Sequence, residues 1–176
     1  LAIRGVGGQG NLFFGKVLAQ VAFLAGYDDR NILKGETHGM AQMGGPVIST
    51  FGCGEVFSPA LVPGTANVLI AMEKAEVLRP GFLDLLEPGG TVLMADTRIL
   101  PHGLKPEAYP SDEAIAAQLE GYRVVSVDVL SIALNLGDPK GRCANVAMLG
   151  VLSTLPPFDV VPEAVWLQAL RGISRK

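Results

Sequence analysis

The chain has 176 residues, 49% of them hydrophobic, and a mean hydropathy of +0.37. That length favours one domain, residues 1–176, with a full core, and no apolar run approaches the ~20 residues that a membrane span requires. A net charge of -3, with 14 basic and 17 acidic residues spread evenly, offers no basic stripe, so neither nucleic acid nor membrane is an expected partner.

The chain opens inside a strand, Leu1-Ala2-Ile3-Arg4, so a short N-terminal piece is expected to precede it. Gly5-Val6-Gly7-Gly8-Gln9-Gly10 follows, with the spacing G-x-G-x-x-G. Between a strand and a helix, such a turn lets the backbone approach a ligand closely, and the free amides of the helix start attract anions. Gly5, Gly7, Gly8, Gln9, Gly10 and Asn11 are therefore the candidate cofactor-binding residues. A turn that only packs a helix onto a strand is the competing reading. The helix, Asn11 to Ala25, is apolar almost all round, with Lys16 and Gln20 on one narrow strip, and Gly26 ends it.

Asn31-Ile32-Leu33 reads as a short second strand. A dinucleotide fold would place an acid about 20 residues past the glycines to hold a ribose. Glu36 is the candidate stand-in, but its setting, Lys34-Gly35-Glu36-Thr37-His38-Gly39, is not that of a ribose clamp. From Gly35 to Pro46 the sequence has four glycines and no apolar period, which predicts a long functional loop. Its candidate ligand or partner residues are Glu36, His38, Gly39, Met40, Gln42, Gly44 and Gly45. Met40 and Met43 suit an adaptable contact. His38 is a candidate acid or base, against the reading of a loop histidine bonded to backbone or to a partner.

Val47 to Phe51, a turn at Gly52-Cys53-Gly54-Glu55 and a return at Val56-Phe57-Ser58 predict a hairpin inserted into the sheet. Val68 to Met72 and Thr91 to Ala95 are continuous apolar runs, as in strands covered on both faces. Between them, Glu73 to Arg79 and Phe82 to Leu86 read as two short helices. Glu73 and Asp96 fall at the C-terminal edge of strands, where ligands of open α/β sheets bind, with helix-dipole and capping roles as the alternatives. After a proline-containing connection holding His102, a helix starts at Ser111, a strand spans Tyr122 to Val127, and helices follow from Val129, Cys143 and Pro162. The fold class is α/β: a three-layer Rossmann-like sheet, mostly parallel, with an inserted β-hairpin.

Cys53 and Cys143 form no C-x-x-C pair and cannot ligate an iron–sulfur cluster alone. With no signal peptide visible, a cytoplasmic setting is expected. No metal site and no complete catalytic constellation is legible.

Several stretches together resemble the gamma subunit or domain of the 2-oxoacid:ferredoxin oxidoreductases. They are Gly5 to Gly10 with its helix, Glu36-Thr37-His38-Gly39-Met40-Ala41-Gln42 with Gly44-Gly45, Phe57-Ser58-Pro59, Ala66 to Ala71 with Glu73, Leu86-Glu87-Pro88-Gly89-Gly90, and Asn145 with Met148-Leu149-Gly150. They span nearly the whole chain in the family's order. The His38-Gly39-Met40 loop and the Ser58-Pro59 pair look most like the small subunit of the indolepyruvate enzyme. Met43 and Pro46 depart from it, since the relatives usually carry Arg and a small Ser or Ala there, and a thioether supplies no charge for a carboxylate or phosphate.

The resemblance implies a subunit of an enzyme that oxidatively decarboxylates a 2-oxoacid to acyl-CoA and reduces ferredoxin. It further implies that thiamine diphosphate, Mg and 4Fe-4S clusters sit on a large companion subunit; it leaves the ligand of the glycine turn open, with coenzyme A phosphates the first candidate because the product is an acyl-CoA and the turn suits a phosphate. The apolar surplus then fits a permanent interface. Two alternatives stand beside it: a free-standing Rossmann-like domain for NAD(P) or a flavin, and a scaffold without a ligand.

Overall fold

A computed structural model describes residues 1–37, 45–100 and 105–174. Six strands form one sheet in the order β2-β3-β1-β4-β5-β6. They are β1 (Ala2–Val6), β2 (Ile32–Thr37), β3 (Pro46–Cys53), β4 (Ala66–Ala71), β5 (Leu86–Ala95) and β6 (Arg123–Val127). The pairs β1–β4, β4–β5 and β5–β6 are parallel, while β3 runs antiparallel to both β1 and β2. The parallel part has the unbroken apolar sequence that two covered faces demand: Val68, Leu69, Ile70, Val92 and Leu93 are wholly inaccessible.

One face of the sheet is covered by α1 (Asn11–Leu24), α4 (Ala144–Leu152) and α5 (Glu163–Ser174), with α3 (Val129–Asn135) packed against α4. Helix α1 buries Phe14, Val17, Leu18, Val21 and Ala22, the i, i+3, i+4, i+7, i+8 stripe of a helix that faces a core. It stops at Gly26, whose φ of 96° lets the Tyr27 N–H reach back to the Ala22 carbonyl at 3.1 Å. Full burial of side chains such as Phe14 and Leu18 contributes about 1.5–3 kcal/mol each. The other face is covered by two 3₁₀ turns, Lys74–Leu78 and Leu83–Leu85, and by α2 (Asp112–Gln118), which pack Val77, Phe82 and Ile115 on Ala2, Leu69 and Val92. That second core ends at β1, for among the described residues none from β2 or β3 belongs to it.

The expected sheet class holds, but three local expectations are corrected. The antiparallel hairpin is β2–β3; Val56-Phe57-Ser58 is not a strand, and Gly35, Glu36 and Thr37 belong to β2 rather than to a loop. The expected short strand at Ile32-Leu33 thus runs on to Thr37, and this second half hides its identity because Lys34 and Glu36 stand on the face next to α1, where they pair with each other at 3.5 Å. The segments read as helices after β4 are 3₁₀ turns. Finally, the strand expected from Thr91 to Ala95 begins at Leu86, so that Pro88-Gly89-Gly90 lies within β5, where the register with β4 shifts between Ala66 and Val68. A side chain at Gly90 would come within 2.9 Å of the Asn67 carbonyl, so the bulge needs glycine.

Candidate functional site

The glycine turn leaves β1 at the switch point of the sheet, where connections from β1 go one way and those from β4 the other. Gly5 is still in the strand. A Cβ there would meet Gln9 Oε1 at 2.8 Å and Met72 Cβ at 2.9 Å. The Gln9 amide occupies that space: its Oε1 accepts from the Val6 N–H at 2.7 Å, and its Nε2 donates to the Met72 carbonyl at 2.6 Å. Both polar ends are thus used on backbone, and the crevice between β1 and β4 that a dinucleotide would enter is filled by protein. The Gly7 N–H is also engaged, by the Gly45 carbonyl at 2.8 Å, which ties the turn to the second predicted segment.

What remains open is the outer side of the turn. Gly8 has φ 103° and, among the described residues, nothing within 4 Å of where a Cβ would stand, and Gly10, the N-cap of α1, has φ 83° and no side chain to cap the helix. The Asn11, Leu12 and Phe13 amides are therefore without intrahelical partners, while the Phe14 N–H closes the first turn on Gly10 at 3.0 Å. Asn11 is 5% exposed, and among the described residues neither its Oδ1 nor its Nδ2 has a hydrogen-bond partner. Gly10 is overhung by α4: a Cβ there would lie 2.5 Å from Asn145 Nδ2.

Gly8, Gly10 and Asn145 border a cleft of about 340 Å³ at the C-terminal ends of β4 and β5, walled opposite by Thr97 and Ile99 and flanked by Lys140 and Arg142. The loop that carries the two cations is shaped by Asp138. Its carboxylate accepts from the Cys143 N–H at 2.8 Å and from the Lys140 N–H at 3.3 Å, and stands 3.6 Å from Arg142 Nε. The Cys143 N–H is the main reason that the Asp138 carboxyl titrates below its ordinary range. Two cations, one carboxylate, a side-chain amide and a helix start give the cleft the chemistry of an anion site.

Lys140, Arg142 and Thr97 were not singled out from the sequence. The legible signal was a pair of cations inside the break Gly137 to Gly141 and just beyond it, immediately before a helix.

The remaining predicted positions are dispersed. Glu36 pairs with Lys34 on β2 beside Gly15 of α1, and Gly45 meets the turn through its carbonyl. His38, Gly39, Met40, Gln42 and Gly44 lie outside the described residues, as do Met43 and His102. Asp96 pairs with Lys74 at 3.0 Å. Glu73, only 2% exposed, turns away from the cleft. It accepts from the Ala75 N–H at 2.9 Å, the Ile99 N–H at 3.3 Å and the Tyr109 hydroxyl. Burial pushes the Glu73 carboxyl up, and burial together with Glu73 pushes the Tyr109 hydroxyl up. Glu73 thereby pins the connection after β5 at both Ile99 and Tyr109.

A larger cavity, about 700 Å³, opens at the opposite end of the sheet between Phe51, Val56 and Phe158, and among the described residues no charged side chain lines it. Among the described residues no three His, Cys, Asp or Glu side chains converge as metal ligands, and no helix is long and apolar enough to cross a membrane.

The family model described as pyruvate ferredoxin/flavodoxin oxidoreductase matches residues 1–176. The chain is 34% identical over 156 residues to the indolepyruvate oxidoreductase subunit IorB of Archaeoglobus fulgidus, covering 86% of this chain and 74% of that one. It superimposes with a TM-score of 0.64 and 21% identity on the pyruvate oxidoreductase subunit PORC of Thermotoga maritima, over 98% of this chain and 84% of that one. The corresponding values for the 2-oxoglutarate:ferredoxin oxidoreductase of Magnetococcus marinus, solved with 2-oxoglutarate, coenzyme A and succinyl-CoA bound, are 0.66 and 18%, over 97% of this chain and 26% of that one. The two structural likenesses are likenesses of fold.

Proposed function

The chain belongs to the pyruvate ferredoxin/flavodoxin oxidoreductase family and is a small subunit of a 2-oxoacid:ferredoxin oxidoreductase; on that premise we propose that its cleft receives the phosphates of coenzyme A. The observation that carries this reading is the cleft itself, where Lys140, Arg142 and Asn145 line one side and the glycine turn the other, and where the start of α1 has no side-chain cap among the described residues. A coenzyme A phosphate group matches that donor set in charge, and Gly8 gives it an approach without side chains. In this reading the chain contributes binding and orientation only. Thiamine diphosphate, Mg and 4Fe-4S clusters belong to a large companion subunit that passes electrons to ferredoxin, the 2-oxoacid is indolepyruvate or a similar aromatic acid, and the enzyme works in the cytoplasm. Gly5, Gly7 and Gln9 shape the turn, while Gly8, Gly10 and the Asn11 amide face the ligand.

The test uses the assembled enzyme. Replacing Lys140 and Arg142 together by Ala should raise KM for coenzyme A about tenfold or more, the loss of at least one charge-assisted contact, with kcat nearly kept. An unchanged KM would remove the cleft from the coenzyme A site. Co-purification from native extract tests the assembly, since recovery as a lone chain would contradict it.

A further inference from the structure

The second core stops at β1, and the residue standing at that margin is an arginine. Arg4 lies on β1 between Ala71 of β4 and Ile48 of β3, its register partners on either side. Its guanidinium sits 5.6 Å over the Phe82 ring, and its side chain is only 21% exposed. An arginine keeps its charge even there, so the environment should supply a carboxylate and acceptors.

It supplies neither in full. Glu76 is the nearest acid, 4% exposed, but its Oε1 is held by both Nε and Nη2 of Arg79 at 3.0 Å. Arg4 Nη1 reaches Glu76 Oε2 only at 4.0 Å. Among the described residues, Arg4 Nε, Arg4 Nη1 and Glu76 Oε2 are all buried without a hydrogen-bond partner. Glu73, the other acid nearby, is committed to Tyr109, Ile99 and Ala75. Two arginines therefore share one carboxylate, and a mostly desolvated cation without a good partner is costly.

Beyond Arg4, no layer formed by the described residues covers the same face of the sheet. Ile48 is half-buried and Pro46 exposed, and neither belongs to either hydrophobic core. Further along that face, the segment Val56–Pro59 covers Gly52 and Gly35, but it packs at the other end of β3 from Pro46. An excess positive charge beside a bare apolar strip is the complement of a protein segment that brings one carboxylate with its apolar neighbours.

We propose that the uncovered face of β1 and β3 around Arg4 and Ile48 is a docking surface for the companion large subunit, which places an acidic side chain against Arg4 and Arg79. The proposal rests on the reading of this chain as one partner of a two-subunit enzyme, and concerns a part of the sheet remote in sequence from Lys140, Arg142 and Asn145. The carboxylate from the partner supplies the charge that Glu76 cannot share. Assembly then relieves a cost that the separate chain carries.

The test is subunit binding. Arg4→Met keeps the stem and leaves Glu76 paired with Arg79, so the isolated variant should unfold at a temperature no lower than the wild type. Its affinity for the large subunit of the same enzyme should fall about tenfold at low salt, and its binding should depend on salt less steeply than that of the wild type. In parallel, phenylglyoxal labelling of the wild type read by mass spectrometry should modify Arg79, whose side chain is 43% exposed, in the separate chain and spare it in the complex. This second measurement decides the matter should Arg4→Met not fold. Wild-type affinity in Arg4→Met, or equal labelling in both states, overturns the proposal. Self-association of the separate chain that Arg4→Met abolishes would assign the face to a second copy and overturn it as well. A wild-type chain that does not bind the large subunit would overturn the two-subunit reading itself.

Discussion

Gln9 Nε2 donates to the Met72 carbonyl at 2.6 Å, joining residues 63 apart across the ends of two parallel strands. With Oε1 on the Val6 N–H, this one amide satisfies a donor and an acceptor that β1 and β4 leave unpaired where they part. Gln9→Ala should therefore cost about 2 kcal/mol, from two partly buried backbone groups losing their partners. Gln9→Glu should cost at least as much, since a carboxylate keeps the Val6 contact but turns negative oxygen toward the Met72 carbonyl. Urea unfolding of both variants checks this. A Gln9→Ala midpoint equal to that of the wild type would show that the clamp carries no stability.

The same bond bears on dinucleotide binding. A doubly wound sheet admits a dinucleotide at its switch point, and here Gln9 fills that space while Glu36, the only candidate ribose acid, pairs with Lys34 on β2. Calorimetric titration of the chain with NAD(H), NADP(H) and FAD should give no saturable heat. Micromolar binding of any of the three would restore the reading of a free-standing Rossmann-like domain.

The parts of the fold that could be read from sequence are those where one local rule acts alone. The stripe of α1, the Gly26 stop and the apolar runs of β4 and β5 follow from burial and backbone freedom, and the structure places all of them as expected. The start of β2 was legible at Ile32-Leu33, but its continuation through Lys34 to Thr37 was not, because an edge strand need not alternate: Lys34 and Glu36 satisfy each other beside the glycine of α1, so no apolar pattern marks that half. The turn after β4 was read as helix because Glu73-Lys74-Ala75-Glu76 has helical composition. What decides its shape is tertiary, namely the capture of Glu73 by Tyr109 and Ile99 from a segment about 30 residues away. For the site, the glycine motif was legible, but the cleft it borders was not. Lys140, Arg142 and Thr97 come together only through the packing of α4 and β5 around the turn.

Gly10 is restricted in two ways, by a φ of 83° and by Asn145 Nδ2 at 2.5 Å from where a Cβ would stand. Gly10→Ala should cost about 1–3 kcal/mol from the strained backbone, and it should also push α4 away from the turn. Asn145→Ala removes the second restriction and not the first. Combining the two changes should thus recover part of the loss, a coupling that thermal unfolding of the two single variants and the double variant would measure. Strict additivity would mean that Asn145 does not touch the turn.

The buried Glu73 sets a pH dependence whose direction can be worked out. Burial raises its carboxyl above the ordinary value, outweighing the hydroxyl of Tyr109 and the Ile99 and Ala75 amides, all of which favour the ionised form. Between the ordinary and the raised value, the folded state holds a proton that the unfolded state has released. Stability from this group is therefore full below the ordinary carboxylate range and falls as pH rises through the window, with a slope of at most about 1.4 kcal/mol per pH unit. Asp112, Asp128 and Asp138, whose carboxyls are lowered, act in the opposite direction, so the total curve does not isolate Glu73. The difference between wild type and Glu73→Gln does, because those aspartates are common to both. Wild type should lose stability relative to Glu73→Gln as pH is raised from the carboxylate range toward neutrality. Tyr109→Phe, which removes one donor to the ionised form, should move the window upward and steepen the loss at neutral pH. A difference between wild type and Glu73→Gln that stays constant with pH would show that the carboxyl titrates alike in the folded and unfolded states.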